Sequence, residues 1–449
     1  MATGYWQSHP QGLIAGEDPQ SPEHRGTAKS QKPEAKSRNI NKMKKLLLIA
    51  FFLSAGLITF AQAPHLFEHT YPVVTAENPE IRGLMDSVSI DNIKANIEHL
   101  CSYHNRRCDS RHIYDVQDWL ISRYQDFGVD TVILHDFKIH KEGFPEETAD
   151  NIIAVKWGTK TPQEFVICGA HYDSWNSDGT DPDTIRSPGA DDNASGVAGI
   201  LETARFLSHY TFDRTIIFAN WCAEEIGLLG SAAYAADCAA QNMDIVGYFN
   251  LDMTGYLEEG SDIHVHLMYT TQDSLIADFV YNFSHVYFPE MPIYQQWLAW
   301  GDSDYSSFNR NGYPAVHPFE DVHASSPFIH SRNDVLGLSV NNLEQSKRFT
   351  ELNLGLVATL AGINNDGVSE TESIHVAMYP NPAHESVTIL TDNNMQNVGI
   401  YNLLGQQIET MELSGTSKCT FNTSDLASGI YVVKTRTERG IVAKQLMVY

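Results

Sequence analysis

Nearly continuous apolar runs alternate with amphipathic stretches along most of this chain. Residues 131–137, 151–158 and 164–174 are apolar runs of strand length. Before them, apolar residues recur at helical spacing over 116–127, and this pattern ends at Gly128. The alternation predicts an α/β domain whose mostly parallel mixed sheet is sandwiched by helices.

The same alternation continues further along the chain. It predicts a helix over 194–209, strands over 215–225 and 248–255, and a helix over 273–286. In open sheets of this kind, functional residues gather at the carboxyl ends of the strands. Functional residues are therefore expected where these strands end.

The pattern changes near residue 362. Residues 362–375 are polar and carry turn-forming residues, so they are predicted to be a linker. Residues 376–449 contain short alternating strands with turn signals, which predict a small all-β sandwich. Two folded domains are thus expected, over 64–361 and 376–449.

The longest apolar run lies near the N-terminus, over residues 43–63. Lys44 and Lys45 precede it and Ala61-Gln62-Ala63 closes it, which is the layout of a secretory signal peptide. The run is short for a membrane span, although a permanent anchor is the alternative. Because a signal peptide begins its protein, residues 1–42 are predicted to be an upstream extension that is not translated. No stable transmembrane segment is expected once the signal is removed.

The charge and cysteine content of the chain limit which partners and which kind of scaffold are expected. The chain has 449 residues, 56 acidic and 30 basic, and a formal net charge of −26. Such acidity argues against nucleic acid as a partner. The six cysteines are too few for a disulfide-built scaffold and show no paired zinc spacing, although Cys101 and Cys108 could close a small loop.

Acidic and imidazole side chains interrupt the chain where the apolar strands end. Taken singly, each has a simpler explanation, as a helix cap, a turn residue or a solvated surface charge. Crowded at one edge of a sheet, several carboxylates would repel unless a cation held them, and two imidazoles among them favour zinc over calcium or magnesium. The candidates are His171, Asp173, Asp191, Asp192, Glu224, Glu225, Asp252 and His330.

Five blocks of sequence around these residues resemble metallopeptidase family 28, which includes bacterial leucyl aminopeptidases and glutamate carboxypeptidase. The resemblance covers roughly residues 80–365, with the blocks in the family's order and approximate spacing. They are HYDS at 171–174, GADDNASG at 189–196, AEEIGLLGS at 223–231, NLDMTGY at 250–256, and the segment from SDYSS to IHSRND at 303–334.

The resemblance implies a metal site with two zinc ions per chain. Asp192 would bridge the two ions, and Asp191 is the less favoured choice for that position. His171 and Asp252 would complete one ion, while Glu225 and His330 would complete the other.

The resemblance also implies the catalytic roles. Glu224 would be the general base, and Asp173 would hold the second ring nitrogen of His171. The chain has Tyr305 where the family often has histidine, which leaves the role of that position open.

These roles imply a secreted zinc-dependent aminopeptidase that hydrolyses the N-terminal residues of peptides. A water between the zinc ions would attack the scissile carbonyl while Glu224 moves the proton. One alternative is a glutaminyl-peptide cyclotransferase with a single zinc, and another is a non-catalytic surface-binding protein. An aromatic segment could line a side-chain pocket or belong to the core; it contains Tyr294, Trp297, Leu298 and Trp300.

The C-terminal domain resembles the sorting domain of bacterial type IX secretion. The resemblance rests on MYPNPA at 378–383, IYNLLGQQI at 400–408 and SGIYVVKT at 428–435. It implies the type IX secretion machinery as a partner, and passage through the periplasm and the outer membrane. The mature protein is then expected to be secreted or attached to the cell surface. A generic binding sandwich is the alternative.

Overall fold

The computed structural model describes most of the chain after the apolar N-terminal run. The predicted extension 1–42, the predicted signal 43–63 and residues 364–375 of the predicted linker lie outside the described residues. Within the described part, no helix is both long enough and apolar enough to cross a membrane. The described residues are 65–297, 303–363, 376–402, 407–427, 429–437 and 440–448.

Among the described residues, eight strands of the larger domain form one mixed sheet in the order β1-β2-β4-β3-β5-β8-β6-β7. Strands β4, β3, β5 and β8 run parallel at the centre, whereas the pairs β1–β2, β2–β4 and β6–β8 are antiparallel. The predicted α/β class with a mixed sheet is therefore confirmed. The strands are β1 (Thr131–Lys138), β2 (Thr148–Lys156), β3 (Thr161–His171), β4 (Arg214–Trp221), β5 (Asp244–Asn250), β6 (Val265–Tyr269), β7 (Ile293–Trp297) and β8 (Ala315–Phe319).

Helices cover both faces of this sheet. Helix α3 ends at Gly128, which adopts a left-handed φ of 76° that glycine tolerates without strain. Helices α1 to α4, α6 and α8 pack on one face, and α5 and α7 pack on the other. The helices are α1 (Pro79–Asp86), α2 (Ile90–Ser102), α3 (Ile113–Phe127), α4 (Gly196–Leu207), α5 (Leu229–Ala240), α6 (Ser274–Tyr287), α7 (Tyr305–Arg310) and α8 (Leu343–Ala361).

Burial on both faces explains why the central strands appear as apolar runs. In β3, Val166 and Cys168 contact the core under the first group of helices, while Phe165 and Ile167 contact the core under α5 and α7. Successive side chains of a strand point to opposite faces, so a sheet covered on both sides needs apolar residues at every position. The central strands were predictable for this reason.

The strands β6, β7 and β8 were not predicted. Each has only five residues, and β7 lies at the edge of the sheet. Tyr294 and Trp297 of β7 are 50% and 59% exposed, so these two side chains are not part of the core. Leu298 and Trp300 lie outside the described residues. Because β7 starts at the edge where β8 ends, Trp297 lies toward the opposite edge of the sheet.

The cysteines form no bridge. All six thiols are free, including Cys101 and Cys108, so the small loop that these two could have closed does not form. Cys168 and Cys222 are fully buried among apolar residues, as expected for cysteines in strand-like runs. The larger domain is therefore held by its apolar core.

The C-terminal domain is all-β, as predicted, and its described strands belong to one five-stranded antiparallel sheet. In β10, burial alternates between Val387, Ile389 and their neighbours, which gives this domain a core of its own. The strands are β9 (Val376–Tyr379), β10 (Ser386–Tyr401), β11 (Gln407–Asn422), β12 (Gly429–Thr437) and β13 (Gly440–Val448).

One buried lysine lies where the two domains meet. Lys434 of β12 is only 5% exposed, its Nζ donates to the carbonyl of Gly158 at 3.4 Å, and it lies 5.0 Å from the centre of the Trp157 ring. Tyr401 also contacts Trp157, with ring centroids 5.6 Å apart. Burial lowers the pKa of Lys434 to about 8, because the charged ammonium loses its water.

We expect Lys434→Met to stabilise the protein at pH 7 by an amount on the order of 1–3 kcal/mol, set by the difference between a folded pKa of about 8 and an ordinary value of about 10.4. Between these two values the unfolded chain binds more protons than the folded one. Wild-type stability should therefore rise with pH across that window, and the advantage of the variant should shrink. Melting temperatures at pH 7 and pH 9.5 measure both effects, with the exposed Lys418→Met as control. An advantage that is equal at both pH values would contradict the assignment.

Candidate metal centre

Three neighbouring parallel strands deliver acidic and imidazole side chains to one edge of the sheet. His171 is the last residue of β3, Glu224 and Glu225 follow the end of β4, and Asp252 follows the end of β5. Because β4, β3 and β5 are adjacent and parallel, their carboxyl ends meet at the same edge. Strand topology alone therefore brings these four side chains together.

Asp192 reaches the same place from the turn that precedes α4. The turn starts at Gly189, whose φ is 54°. A side chain there would overlap the Asp192 carbonyl and the Arg106 guanidinium, so glycine is needed at this position. The carboxylate of Asp334 accepts hydrogen bonds from the backbone N–H groups of Asp191 and Asp192, at 2.8 and 3.2 Å. These contacts hold the turn against the sheet edge.

The two oxygens of Asp192 face two different histidines. Its Oδ1 lies 3.2 Å from Nε2 of His171, and its Oδ2 lies 3.0 Å from Nε2 of His330. A second carboxylate faces each ring: Asp252 Oδ1 lies 3.3 Å from His171, and Glu225 Oε2 lies 3.0 Å from His330. The result is two adjacent groups of nitrogen and oxygen donors that share one carboxylate.

The structure separates the two neighbouring aspartates at this turn. The Oδ1 of Asp191 accepts a hydrogen bond from the Gly255 N–H at 2.8 Å and does not face the imidazoles. Burial raises the pKa of Asp191, and the nearby Glu320 and Asp334 raise it further. Asp192 is therefore the one of the two whose carboxylate lies between His171 and His330.

Asp173 supports the site through its backbone and its side chain together. Its carbonyl oxygen lies 3.2 Å from Nδ1 of His171, closer than its carboxylate at 3.6 Å. The carboxylate oxygens accept the N–H groups of Glu224 and Glu225, at 3.2 and 3.3 Å. Asp173 thus contacts one imidazole and the start of the adjacent loop, whereas the sequence analysis named only the contact with the second ring nitrogen of His171.

Two backbone positions near the site adopt left-handed conformations that only a minority of non-glycine residues show. Ala223 has a φ of 63° immediately before Glu224, and His330 has a φ of 52°. The carbonyl of His330 accepts a hydrogen bond from the Ser177 N–H at 2.9 Å. Such conformations cluster at functional sites, where the surrounding structure must hold them.

Asp252 is fixed by a chain of hydrogen bonds that the sequence did not predict. Ser303 Oγ donates to Asp252 Oδ2 at 2.6 Å and accepts from the Asn250 amide at 2.9 Å. Tyr248 donates to Asn250 at 2.5 Å and accepts from the Trp221 indole at 2.7 Å. The chain extends from the metal-competent carboxylate into the aromatic core, so Asp252 has little freedom to move.

His317 and Tyr305 lie behind the same carboxylate. The His317 Nε2 is 3.0 Å from the backbone carbonyl of Asp252, and the Tyr305 ring packs against His317 with centroids 5.4 Å apart. Tyr305 is fully buried. The side chain at this departure from the family pattern therefore packs beneath the site.

Electrostatics at this edge favour the binding of a cation. Burial raises the pKa of Glu224 and raises that of Glu225 to about 8, because the nearby histidines offset the loss of water only in part. Burial also disfavours the protonated form of His171, but Asp252 and Glu224 outweigh it and raise its pKa. One oxygen of Glu225 is buried without a hydrogen-bond partner. A divalent cation would satisfy this oxygen and replace the protons that the rings otherwise hold.

The donors fit such a cation. His171, Asp192 and Glu225 offer atoms within 4.8 Å of one another, as do His171, Glu224 and Asp252. The set combines imidazole nitrogens with carboxylate oxygens, which is the chemistry that zinc prefers. The His330 side chain is 42% exposed, so one side of the site is open to solvent.

Comparisons with known proteins identify the family to which this chain belongs. The sequence model of Peptidase family M28 matches residues 151–355, and that of a secretion system C-terminal sorting domain matches residues 377–449. Leucine aminopeptidase 1 of Fusarium vanettenii is 30% identical over 304 residues, covering 65% of this chain and 75% of that protein. The chain belongs to peptidase family M28, and it carries a C-terminal sorting domain.

Other relatives agree with this membership. A probable aminopeptidase of Saccharomyces cerevisiae is 27% identical over 311 residues, which cover 67% of this chain and 80% of that protein. The crystal structure of the LapA aminopeptidase of Legionella pneumophila matches with a TM-score of 0.55 at 26% identity, covering 68% of this chain and 79% of that one. Both matches extend well beyond the five sequence blocks.

Asp173 offers a test of how the site is supported. We expect Asp173→Ala to weaken metal binding by about 10–100-fold, since partners that orient metal ligands have effects of this size. The substitution removes the acceptor of the Glu224 and Glu225 N–H groups but leaves the carbonyl near His171. Competition with a chelator measures the affinity, and circular dichroism monitors the fold. Unchanged affinity would show that the carboxylate does not support the site.

Proposed function

We propose that this protein is a secreted di-zinc aminopeptidase. The observation that carries the proposal is the position of Asp192, whose two oxygens face two histidines that are each completed by another carboxylate. On this proposal His171, Asp192 and Asp252 bind one zinc ion. Glu225 and His330, together with Asp192, bind the other.

Zinc is favoured over other divalent ions by the donor set. Calcium and magnesium prefer sites made entirely of oxygen, whereas each group of donors here includes an imidazole. When bound, a pair of zinc ions supplies Lewis acidity for a carbonyl oxygen and lowers the pKa of a water molecule. The sharing of Asp192 supports two ions rather than one.

Glu224 is proposed as the general base. It follows a strand end like the proposed ligands, but its Oε2 lies 4.0 Å from His171 Nε2, farther than the oxygens of Asp192 and Asp252. Its backbone is held by Asp173, so the carboxylate has a defined position. In this role Glu224 takes a proton from the attacking water and gives it to the leaving amine as the peptide bond breaks.

The choice of peptide N-termini as substrate rests on relatives of this chain. The four carboxylates of the proposed centre balance the charge of two zinc ions, so the charge of the site does not by itself select a substrate. Relatives of this chain are named leucine aminopeptidases and a probable aminopeptidase. We therefore propose exopeptidase cleavage at the N-terminus of peptides.

Export completes the proposal. The sorting domain belongs to a class that directs secretion, and we propose that the type IX machinery carries this protein across the outer membrane. The division into an untranslated extension 1–42, a signal 43–63, a peptidase domain 64–361, a linker 362–375 and a sorting domain 376–449 belongs to the same proposal. The mature enzyme would then act outside the cell or on its surface.

The first test compares two activities of the mature chain with its sorting domain. We expect it to release amines from aminoacyl anilides, and we expect this activity to stop with a zinc chelator and return with zinc. Cyclisation of an N-terminal glutaminyl peptide without anilide cleavage would contradict the proposal and favour the cyclotransferase. Inactivity on both would favour a carboxyl-terminal substrate or a binding role.

Two neighbouring glutamates give a matched pair of variants. We expect Glu224→Gln to reduce kcat by about 10²–10⁴-fold while both zinc ions stay bound, because it removes a general base. Glu225→Gln should instead reduce the zinc content, because its Oε2 lies with His330 and Asp192 in one donor group. Metal analysis and anilide kinetics on both variants measure these effects. Retained activity in Glu224→Gln would remove Glu224 from the mechanism.

A further inference from the structure

A second cluster of imidazole and carboxylate groups lies at the same edge of the sheet. Strands β6 and β8 are antiparallel, with His266 paired opposite Phe319. Extending this register past the end of β8 brings His264 opposite Asp321. The side chains meet accordingly: His264 Nε2 is 3.1 Å from Asp321 Oδ2, and His266 Nε2 is 3.8 Å from Asp321 Oδ1.

Hydrogen bonding at Nδ1 leaves Nε2 of a neutral His264 ring with its lone pair aimed at the carboxylate. Its Nδ1 lies 2.8 Å from the backbone carbonyl of Asp262, and two such atoms can approach only if Nδ1 carries the proton. In the neutral ring, Nε2 is then an acceptor facing the acceptor oxygen of Asp321. Two acceptors at this distance need a cation between them, either a proton or a metal ion.

A metal ion gains further ligands here that a proton does not use. His266 presents Nε2 toward the other oxygen of Asp321, and the exposed His323 packs edge-on against His266 with ring centroids 5.6 Å apart. Binding a metal through Nε2 would move the ring proton of His266 to Nδ1. That move gives up the hydrogen bond from the Val322 N–H, which at 3.4 Å is a weak one.

The cluster is ordered but reachable. The side chains of His264, His266 and Asp321 are 12%, 6% and 18% exposed. The Asp321 carboxylate is further fixed by the backbone N–H of His323, which donates to Asp321 Oδ1 at 2.7 Å. An exposed histidine–aspartate pair on a surface contributes little to stability. Here two imidazole rings face one carboxylate in a largely buried setting, as the ligands of a metal ion would.

We propose that His264, His266 and Asp321 bind a third divalent metal ion, of the transition-metal class that includes zinc. Two imidazoles and a single carboxylate favour zinc over calcium or magnesium. The three donor atoms lie within 4.8 Å of one another. None of these residues belongs to the proposed catalytic centre, and β6 is two strand spacings, about 10 Å, from β5.

The third ion would stiffen the loop that leads to His330. It would join β6 to Asp321, immediately after Glu320, whose carboxylate accepts the N–H groups of Tyr256 and Ser326 at 2.9 and 3.0 Å. The chain then runs directly from Ser326 to His330. Metal binding at the cluster would therefore support the position of a proposed catalytic ligand from a distance.

The test counts metal ions in the chelator-stripped full-length chain during titration with zinc chloride. We expect His264→Gln/His266→Gln to bind one zinc fewer than wild type. His140→Gln is the matched control, because His140 is an exposed histidine that pairs with the exposed Glu146 at 3.6 Å, and it should leave the count unchanged. Asp321→Asn provides a second route to the same loss if the double variant folds poorly.

Hydrogen exchange provides a readout other than activity. Amides of residues 320–330 should exchange more slowly once the last equivalent of zinc is bound in wild type, and this slowing should be absent in the double variant. Equal zinc counts in wild type, the double variant and Asp321→Asn would overturn the proposal. The zinc content of Glu225→Gln tests the proposed catalytic centre and does not depend on the third site. The two proposals can therefore fail separately.

Discussion

Crowding of carboxylates at the end of three parallel strands is the constraint on which the rest of this structure depends. The side chains that follow β3, β4 and β5 are taken out of water by the same fold that brings them together. Buried charges of one sign are costly unless cations and hydrogen bonds compensate them. The residues around them therefore supply donors: Ser303 to Asp252, and the backbone N–H groups of Asp191 and Asp192 to Asp334. The carboxylate oxygens that these donors do not satisfy form the candidate metal site.

Arg106 shows how far this compensation reaches. The guanidinium is fully buried, and it donates to the backbone carbonyls of Leu100, Tyr172, Pro188 and Gly189. Within the part of the chain that the structure describes, no carboxylate pairs with it directly. Its charge instead acts on the carboxylates at longer range, while its four hydrogen bonds join α2, the end of β3 and the turn before Asp192. One side chain thus ties three segments of the site together and adds positive charge beneath it.

Much of this arrangement could be predicted from the sequence, since a central strand covered on both faces is an apolar run with a polar residue at its end. This pattern of an apolar run followed by a polar residue identified His171, Glu225 and Asp252. It did not identify the strands β6 to β8, which have only five residues each. Contacts made by backbone atoms could not be predicted from the sequence either. The approach of the Asp173 carbonyl to His171 depends on a local turn, and the selection of Ser303 as the partner of Asp252 depends on tertiary packing.

The position of the sorting domain follows from the same strand directions. Strand β2 runs antiparallel to β4, so its carboxyl end, with Trp157 and Gly158 just beyond it, lies at the edge opposite the metal centre. The contacts of Lys434 and Tyr401 with the peptidase domain are made at this opposite edge. The sheet therefore separates the two tasks of the chain. The described contacts of the sorting domain lie at one edge, and the residues proposed to act lie at the other. Keeping or removing this domain would therefore leave the contacts within the proposed site unchanged.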